Sequence, residues 1–311
     1  MSVNRLGSVI VLATALASPV PAHAWICSRA LDNAGEETGP SLSWFTRTIT
    51  YALHEDGTAD IAAKDEMNVM RAAFQKWEGV PPNPLTDVKF VEEAELATRD
   101  VVGFDFLRPA TNSNVLVFRD AAWLHPGQAA SIIALTTTTY SAQTGQILDA
   151  DIEFNSANFE FTIGDTGVIT DLLNTAVHEI GHVLGLGHST VAGSTMEATA
   201  EAQDIEKRTL GPDDLNAIVF KYPAGEPNCY CDEPSCAVDR PECGACSGAD
   251  CGDWSACGFG APPRPLENTA AVTVTGFDDG NGGCNCAGTP SAAGVLFLAG
   301  AAFCLAWRRG G

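Results

Sequence analysis

Residues 28 to 228 of this 311-residue chain contain no cysteine. The middle of the protein therefore has neither internal disulfides nor thiolate-held metal to rely on. Its stability has to come from an apolar core, and the length suffices for one or two domains. Basic residues are also scarce: 17 Lys and Arg stand against 39 Asp and Glu, for a formal charge of -22. Phosphate binding needs a basic footprint, so a nucleic-acid partner is excluded. The carboxylate excess reads first as a solvated, soluble surface. Its second reading is a supply of oxygen ligands for calcium. Long apolar runs are missing too: those near the two termini fall short of the ~20 residues a membrane-spanning helix needs.

The two ends carry what the middle lacks. Arg5, the apolar stretch Val9 to Ala17 and the small-residue site Ala22-His23-Ala24 have the form of a secretory signal. The mature chain then begins at Trp25, after a signal peptide spanning 1–24, with a short leader over 25–40. The eleven cysteines agree with export: Cys27, seven between Cys229 and Cys257, then Cys284, Cys286 and Cys304. In an oxidising compartment such Cys-dense segments form disulfides. Residues 224–283 are the Cys-rich segment and 284–311 a C-terminal tail. Ala292 to Trp307 is apolar over sixteen residues and is followed by Arg308 and Arg309. Such a tail inserts marginally in a membrane, with the arginines on the cytoplasmic side. The expected location is secreted, extracellular or outer cell surface.

Between the ends, residues 41–223 mix strands and helices in one unit of α+β class. Arg47 to Leu53, Asp87 to Val91, Val115 to Phe118, Ser131 to Tyr140 and Gln146 to Phe154 read as strands from alternation and β-branched content. Alternation in the last of these puts Asp149, Asp151 and Glu153 on one face, opposite Ile152 and Phe154. The spacing of Met67, Met70, Phe74 and Trp77 predicts a helix over Ile61 to Trp77 with Asp60 as N-cap. A second helix is expected over Asp171 to Leu184 after Thr170 as N-cap. A third runs from Pro212 to Tyr222, with Gly211 before it and Asp213 and Asp214 in its first turn.

The second helix carries the chemistry. It contains His178-Glu179-Ile180-Gly181-His182 and continues Val183-Leu184-Gly185-Leu186-Gly187-His188. Two histidines four apart share one helix face, one turn from each other, and can reach one tetrahedral zinc. Gly185 can take a left-handed conformation, end the helix and let the chain return with His188 as third ligand. The fourth position stays open for water. Glu179 sits beside the metal without binding it. It is placed to take a proton from zinc-activated water as a peptide carbonyl is attacked, and to return it to the leaving amine. A bare H-E-x-x-H occurs by chance in ordinary helices, but the full H-E-x-x-H-x-x-G-x-x-H uses three of the six histidines. The implied function is zinc-dependent endopeptidase, acting on protein or peptide. Two rivals stand: an idle zinc-binding surface module, and a zinc peptidase whose third ligand is a downstream glutamate, Glu201 or Glu206.

These residues resemble the metzincins, and among them the matrixins, over about 180 residues. Ser189 follows the third histidine, and Met196 stands where that family has its Met-turn beneath the zinc. LTTTTY and GQILDADIEFN are similar to the family's fourth and fifth strands, and LGPDDLNAIVFKYP to its last helix. The resemblance implies a twisted five-stranded mixed sheet with an antiparallel edge strand. That strand is Ser131 to Tyr140, with Ser131, Ile132, Ile133, Ala134 and Leu135 offered to an extended substrate. Glu197-Ala198 stands where the family has Tyr-Pro, which puts the primed-side pocket in doubt. A second, structural zinc is not expected, because His125 is the only candidate before the fifth strand and no H-x-D pair exists. His54 and His125 are read as surface residues. Asp149, Asp151 and Glu153 are candidate calcium ligands, with a solvated acidic strand face as the plainer reading.

GGCNCAGTPSAAGVLFLAGAAFCLAWRRGG resembles the myxobacterial C-terminal sorting tags. That resemblance implies transient membrane association and removal by a sorting peptidase near Cys284 or Cys286. Cys27 has two readings. It is a disulfide tether to the Cys-rich segment, the favoured one, or a latency thiolate on the zinc.

Overall fold

A computed structural model describes residues 25–32, 34–78, 86–123, 125, 131–224 and the backbone of 299–307. The signal segment 1–24 and the Cys-rich segment 224–283, apart from Ala224, lie outside the described residues. So does the tail 284–311, apart from 299–307.

Five strands form the body of a seven-stranded sheet: β1 (Thr48–Leu53), β2 (Lys89–Glu92), β3 (Val115–Phe118), β4 (Ile132–Tyr140) and β5 (Ile147–Phe154). Their order is β2-β1-β3-β5-β4. The first four in that order run parallel, and β4 is antiparallel to β5. This is the α+β metzincin arrangement, with the antiparallel strand at the edge of the five. A small ladder of β6 (Phe161–Thr162) and β7 (Thr170–Asp171) leads into the second helix. The expected strand limits hold to within one or two residues, because buried apolar runs fix them.

Helix α1 (Glu66–Trp77) starts later than the periodicity suggests. Residues 62–64 form a short 3-10 turn in which Ala63 has a positive φ. Asp60 is not its N-cap. Its carboxylate accepts from the Phe161 backbone N–H at 2.9 Å instead. Helix α2 (Leu172–Val183) is capped by Asp171, whose carboxylate accepts from Asn174 N–H, one residue after the expected cap. Helix α3 (Pro212–Lys221) follows Gly211 as read from sequence.

Helix α2 is buried on nearly every side. It lies between α1 and the sheet, so its backbone end cannot be left to water. Tryptophan and tyrosine side chains do part of the work. The Trp77 indole donates to Val177 O at 2.8 Å, and the Trp44 indole to Val183 O at 2.7 Å. The Tyr222 hydroxyl donates to Leu184 O at 2.9 Å and accepts from Trp44 N–H at 3.0 Å. The last carbonyls of a helix have no partner within it. Here Val183 O and Leu184 O, at the helix end, are taken up by the Trp44 indole and the Tyr222 hydroxyl, from the two ends of the domain.

The leader is part of this body. Ser28 N–H donates to Gly185 O at 3.0 Å, and Gly187 N–H to Ile26 O at 2.8 Å. Trp25 packs on Phe220 with ring centroids 4.8 Å apart. Residues 25–30, part of the short leader read over 25–40, thus brace the turn after α2.

Gly185 has φ +77°, and a Cβ there would run into the Leu42 carbonyl. Gly193 also has a positive φ, +78°, but open space around it. Gly185→Ala should cost about 2–4 kcal/mol, from left-handed strain and the clash together. Gly193→Ala should cost only the strain, ~1–2 kcal/mol. Urea titrations of both variants check this, and equal losses would remove the role given to Leu42.

Candidate metal centre

His178, His182 and His188 converge. Their ligand atoms all lie within 4.8 Å of one another, and no other group of three or more His, Cys, Asp or Glu does so among the described residues. His178 and His182 come from one face of α2. His188 arrives because the chain turns back at Gly185, where the Gly185 N–H donates to His182 O and the Leu186 N–H to Gly181 O.

The ring orientations are set from behind. His178 Nδ1 lies 2.6 Å from Thr195 O, and His182 Nδ1 lies 2.7 Å from Leu186 O. A carbonyl only accepts, so each Nδ1 carries the proton and each Nε2 presents a lone pair. Those two Nε2 atoms are 3.1 Å apart. Two lone pairs so close repel unless a cation lies between them. Tetrahedral zinc with bonds of ~2.0–2.1 Å would space its nitrogens by about 3.3 Å. The donor set therefore fits zinc. Burial, then nearby positive charge, holds both imidazoles well below the usual histidine range, so both are neutral and able to ligate.

Glu179 is fully buried beside the triad. Its carboxylate accepts from the Thr136 hydroxyl at 2.6 Å. Thr136 sits in the run of threonines on β4 and was not singled out by sequence. Nothing in a β-branched repeat marks which hydroxyl will face α2.

Met196 is buried beneath the site. A Cβ on Gly181 would overlap its sulfur and methyl, and the Trp77 ring as well. The glycine inside the motif thus makes room for the methionine. The Met196 turn is anchored by Asp214, whose carboxylate accepts from Thr195, Met196 and Gly211 N–H at 2.7, 3.1 and 2.8 Å. Ser189 donates to Asp213 at 2.7 Å. Asp213 and Asp214 do more than complement a helix dipole: they tie α3 to the segment that follows the third ligand. Burial pushes Asp214 up despite those three hydrogen bonds.

Glu197 folds back, its carboxylate accepting from Gly193 N–H at 2.9 Å, while the buried Lys207 ammonium donates to its carbonyl. Burial lowers Lys207 to about 8. Glu201 and Glu206 are exposed and outside the histidine group.

Several expectations need correction. Asp149, Asp151 and Glu153 are buried, not a solvated face. Residues 99–125 fold over them: Asn112 donates to Asp149 at 2.6 Å, Val115 N–H to Asp151 at 2.6 Å, and Arg119 to Glu153 at 2.7 Å. His125 also meets Glu153, at 3.0 Å. The three carboxylates do not converge as a calcium cage, because Glu153 is turned to Arg119 and His125. His54 is buried, its ring accepting from Asp56 N–H at 3.3 Å. Ser131 precedes β4 and is exposed, so the strand begins at Ile132. Cys27 is a buried free thiol in the core and is not among the metal-facing groups, against the latency reading. The cysteines of the tether reading lie outside the described residues.

The outer edge of β4 is not open. A strand from the tail, β9 (Ala299–Trp307), pairs antiparallel with β4 and parallel with the short β8 (Thr199–Ala200). Of the apolar tail run read from sequence as marginally membrane-inserting, residues 299–307 are extended here.

The sequence profile of the matrixins matches residues 43–222. The chain belongs to the matrixin family. Among relatives of this matrixin are metalloendoproteinase 4-MMP of Arabidopsis thaliana, 30% identical over 176 residues, and metalloendoproteinase 5-MMP of the same plant, 40% identical over 187. Rat (Rattus norvegicus) matrilysin is 27% identical over 178 residues. The matches cover 56%, 58% and 57% of this chain, and 45%, 45% and 58% of those relatives. The matched part is thus about half of each relative, and the profile match over 43–222 contains the whole histidine cluster.

Burial, opposed by Asn112, pushes Asp149 up to about 6, and burial beside Asp149 raises Asp151 further. A carboxyl whose folded pKa is raised stabilises the fold below its unfolded value of 3.8. That contribution is lost as pH climbs through about 6. Asp149→Asn keeps the acceptor for Asn112 and removes the charge. It should raise Tm by a few degrees at pH 8 and change little at pH 4. Thermal melts at both values check this. A wild-type gain at pH 8 on adding calcium, absent from the variant, would instead make the pair a cation site.

Proposed function

We propose that this matrixin is a zinc-dependent endopeptidase, exported and active outside the cell or on its outer surface. The observation that carries the reading is the pair of Nε2 lone pairs 3.1 Å apart, each fixed by a backbone carbonyl behind its ring, with His188 completing the cluster. The relatives' printed names, metalloendoproteinase and matrilysin, point the same way. A bound zinc would be held by His178, His182 and His188. It would supply an acidified water and an electrostatic partner for the developing oxyanion.

The rest is work for this chain's residues. Glu179 is the general base, one residue after the first candidate ligand and buried beside the histidine cluster. The Thr136 hydroxyl holds one carboxylate oxygen at 2.6 Å and so fixes the plane in which the other works. Thr136 is thus a positioning residue. Glu179 takes the proton of the attacking water and delivers it to the departing amine, so that the scissile C–N bond breaks as the carboxyl product forms. Burial keeps competing water away from that carboxylate. Ile132 to Leu135 line the groove, where β4 offers backbone N–H and C=O groups to an extended peptide. Export is supported by the signal-like first 24 residues and by the cysteine distribution. A sorting peptidase that removes the tail fits the same reading.

The idle-module alternative has no comparable observation. A purely structural site has no use for a buried glutamate held in place by a threonine hydroxyl.

Glu179→Ala should keep one zinc per chain and lose at least ~10²–10⁴-fold in kcat/KM on a quenched peptide substrate. Activity within tenfold of wild type would mean another group is the base. His188→Ala should lose zinc, measured by atomic absorption after dialysis, while Glu201→Ala and Glu206→Ala keep it.

A further inference from the structure

The edge of β4 is occupied along its whole length by the chain itself. Ala299 stands opposite Tyr140, Phe303 opposite Thr136, Leu305 opposite Ala134 and Ala306 opposite Ile132, with an irregularity between Ile132 and Ala134. On its other side the same strand meets β8, Ala306 against Thr199 and Trp307 against Ala200. Backbone partners thus flank β9 on both sides.

Its position relative to the metal centre follows from those two registers. Thr136, abreast of Phe303, is the residue whose hydroxyl holds Glu179. Thr199, abreast of Ala306, lies four residues beyond Thr195, whose carbonyl fixes His178. The backbone of 303–306 therefore runs between the strand whose Thr136 holds Glu179 and the segment that follows the carbonyl orienting His178. An extended peptide needs the same groups of β4 that β9 has taken, and two strands cannot share one edge.

We propose that residues 299–307 are a ligand in cis for the substrate groove: a peptide in substrate position that keeps the intact chain latent until the tail is withdrawn or cut away. This deepens the peptidase reading and rests on it. The segment suits the role. It contains no charged residue and no proline, so every residue of it keeps a backbone N–H for the ladder. The connection from residue 225 to 298 is long enough to reach, and closing a long loop costs only slightly more than closing a short one. Tethering presents the segment at an effective concentration of roughly 0.1–1 mM, enough to outcompete weakly bound peptides. The event that must come before activity is a cleavage between 225 and 298 by another peptidase, followed by release of the strand.

The test uses the full chain carrying Glu179→Ala, loaded with zinc, so that nothing is digested. Hydrogen exchange of Ile132–Tyr140 is compared with the same chain carrying Ala302→Pro and Phe303→Pro, which remove neighbouring N–H groups from β9. A second comparison uses a chain with an inserted protease site after residue 283, nicked after folding. The expected result is at least tenfold faster exchange along β4 in the proline and nicked forms, with α2 unchanged. In the otherwise wild-type chain, nicking should raise kcat/KM at least tenfold, and a synthetic peptide of residues 296–311 should inhibit the nicked enzyme competitively. Equal protection of β4 in all forms would overturn the proposal, and is the result if the tail resides elsewhere, a bilayer included. Faster exchange with no hydrolysis from any form would support the occupancy and sink the peptidase reading.

Discussion

Helix α2 has to stop immediately after its second metal-facing histidine, inside the protein, and the rest of the site depends on how it does so. A buried helix end leaves carbonyls that water cannot reach. Trp44, Tyr222 and the Ser28 backbone take them up, and Gly185 supplies the left-handed turn. With the carbonyls satisfied, the chain can reverse over three residues and present His188 opposite the other two rings. The turn's own backbone then serves as ligand support, since Leu186 O orients His182. One local constraint thus fixes the third ligand and the tautomer of the second.

A second layer of polar contacts holds the other side. Asp214 accepts three backbone N–H groups around the Met196 turn, and that turn contributes the carbonyl that orients His178. The same segment continues into β8. A displacement of α3 would therefore reach the first ligand through two hydrogen bonds. It would reach the groove wall through the strand that follows. The carboxylate is kept in place at a desolvation cost, visible in its raised pKa, that three charge-assisted bonds offset only in part.

The three converging histidines, the buried Glu179 beside them and the Met196 turn were legible because a helix repeats every 3.6 residues and a glycine marks the reversal. The strands were legible because burial on both sheet faces favours β-branched runs. Other features depend on which distant segment lies on top, and that is not written in local pattern. Asp149, Asp151 and Glu153 alternate just as a half-solvated strand would, yet residues 99–125 cover them. Glu153 spends its charge on Arg119 and His125, residues 34 and 28 positions away. Thr136 is one hydroxyl in a run of four, distinguished only by Glu179 across from it. Asp60 looks like a helix cap and is used instead to hold Phe161, 101 positions away. The leader looked separate for the same reason: its contacts are with the turn after α2, more than 150 residues downstream.

The edge of β4 shows how stability and function meet in this fold. An unpaired strand edge invites any extended chain, including a second copy of the protein. A peptidase of this design cannot blunt that edge with charge or proline without losing its substrate. The remaining solution is a cover that can be taken away. The groups that orient His178 and His182 and hold Glu179, namely Thr195 O, Leu186 O and the Thr136 hydroxyl, belong to the matrixin domain and not to the tail strand. A cover that contributed ligands or their supports would dismantle the centre on leaving. One that contributes only backbone pairing along the edge can leave the metal geometry standing.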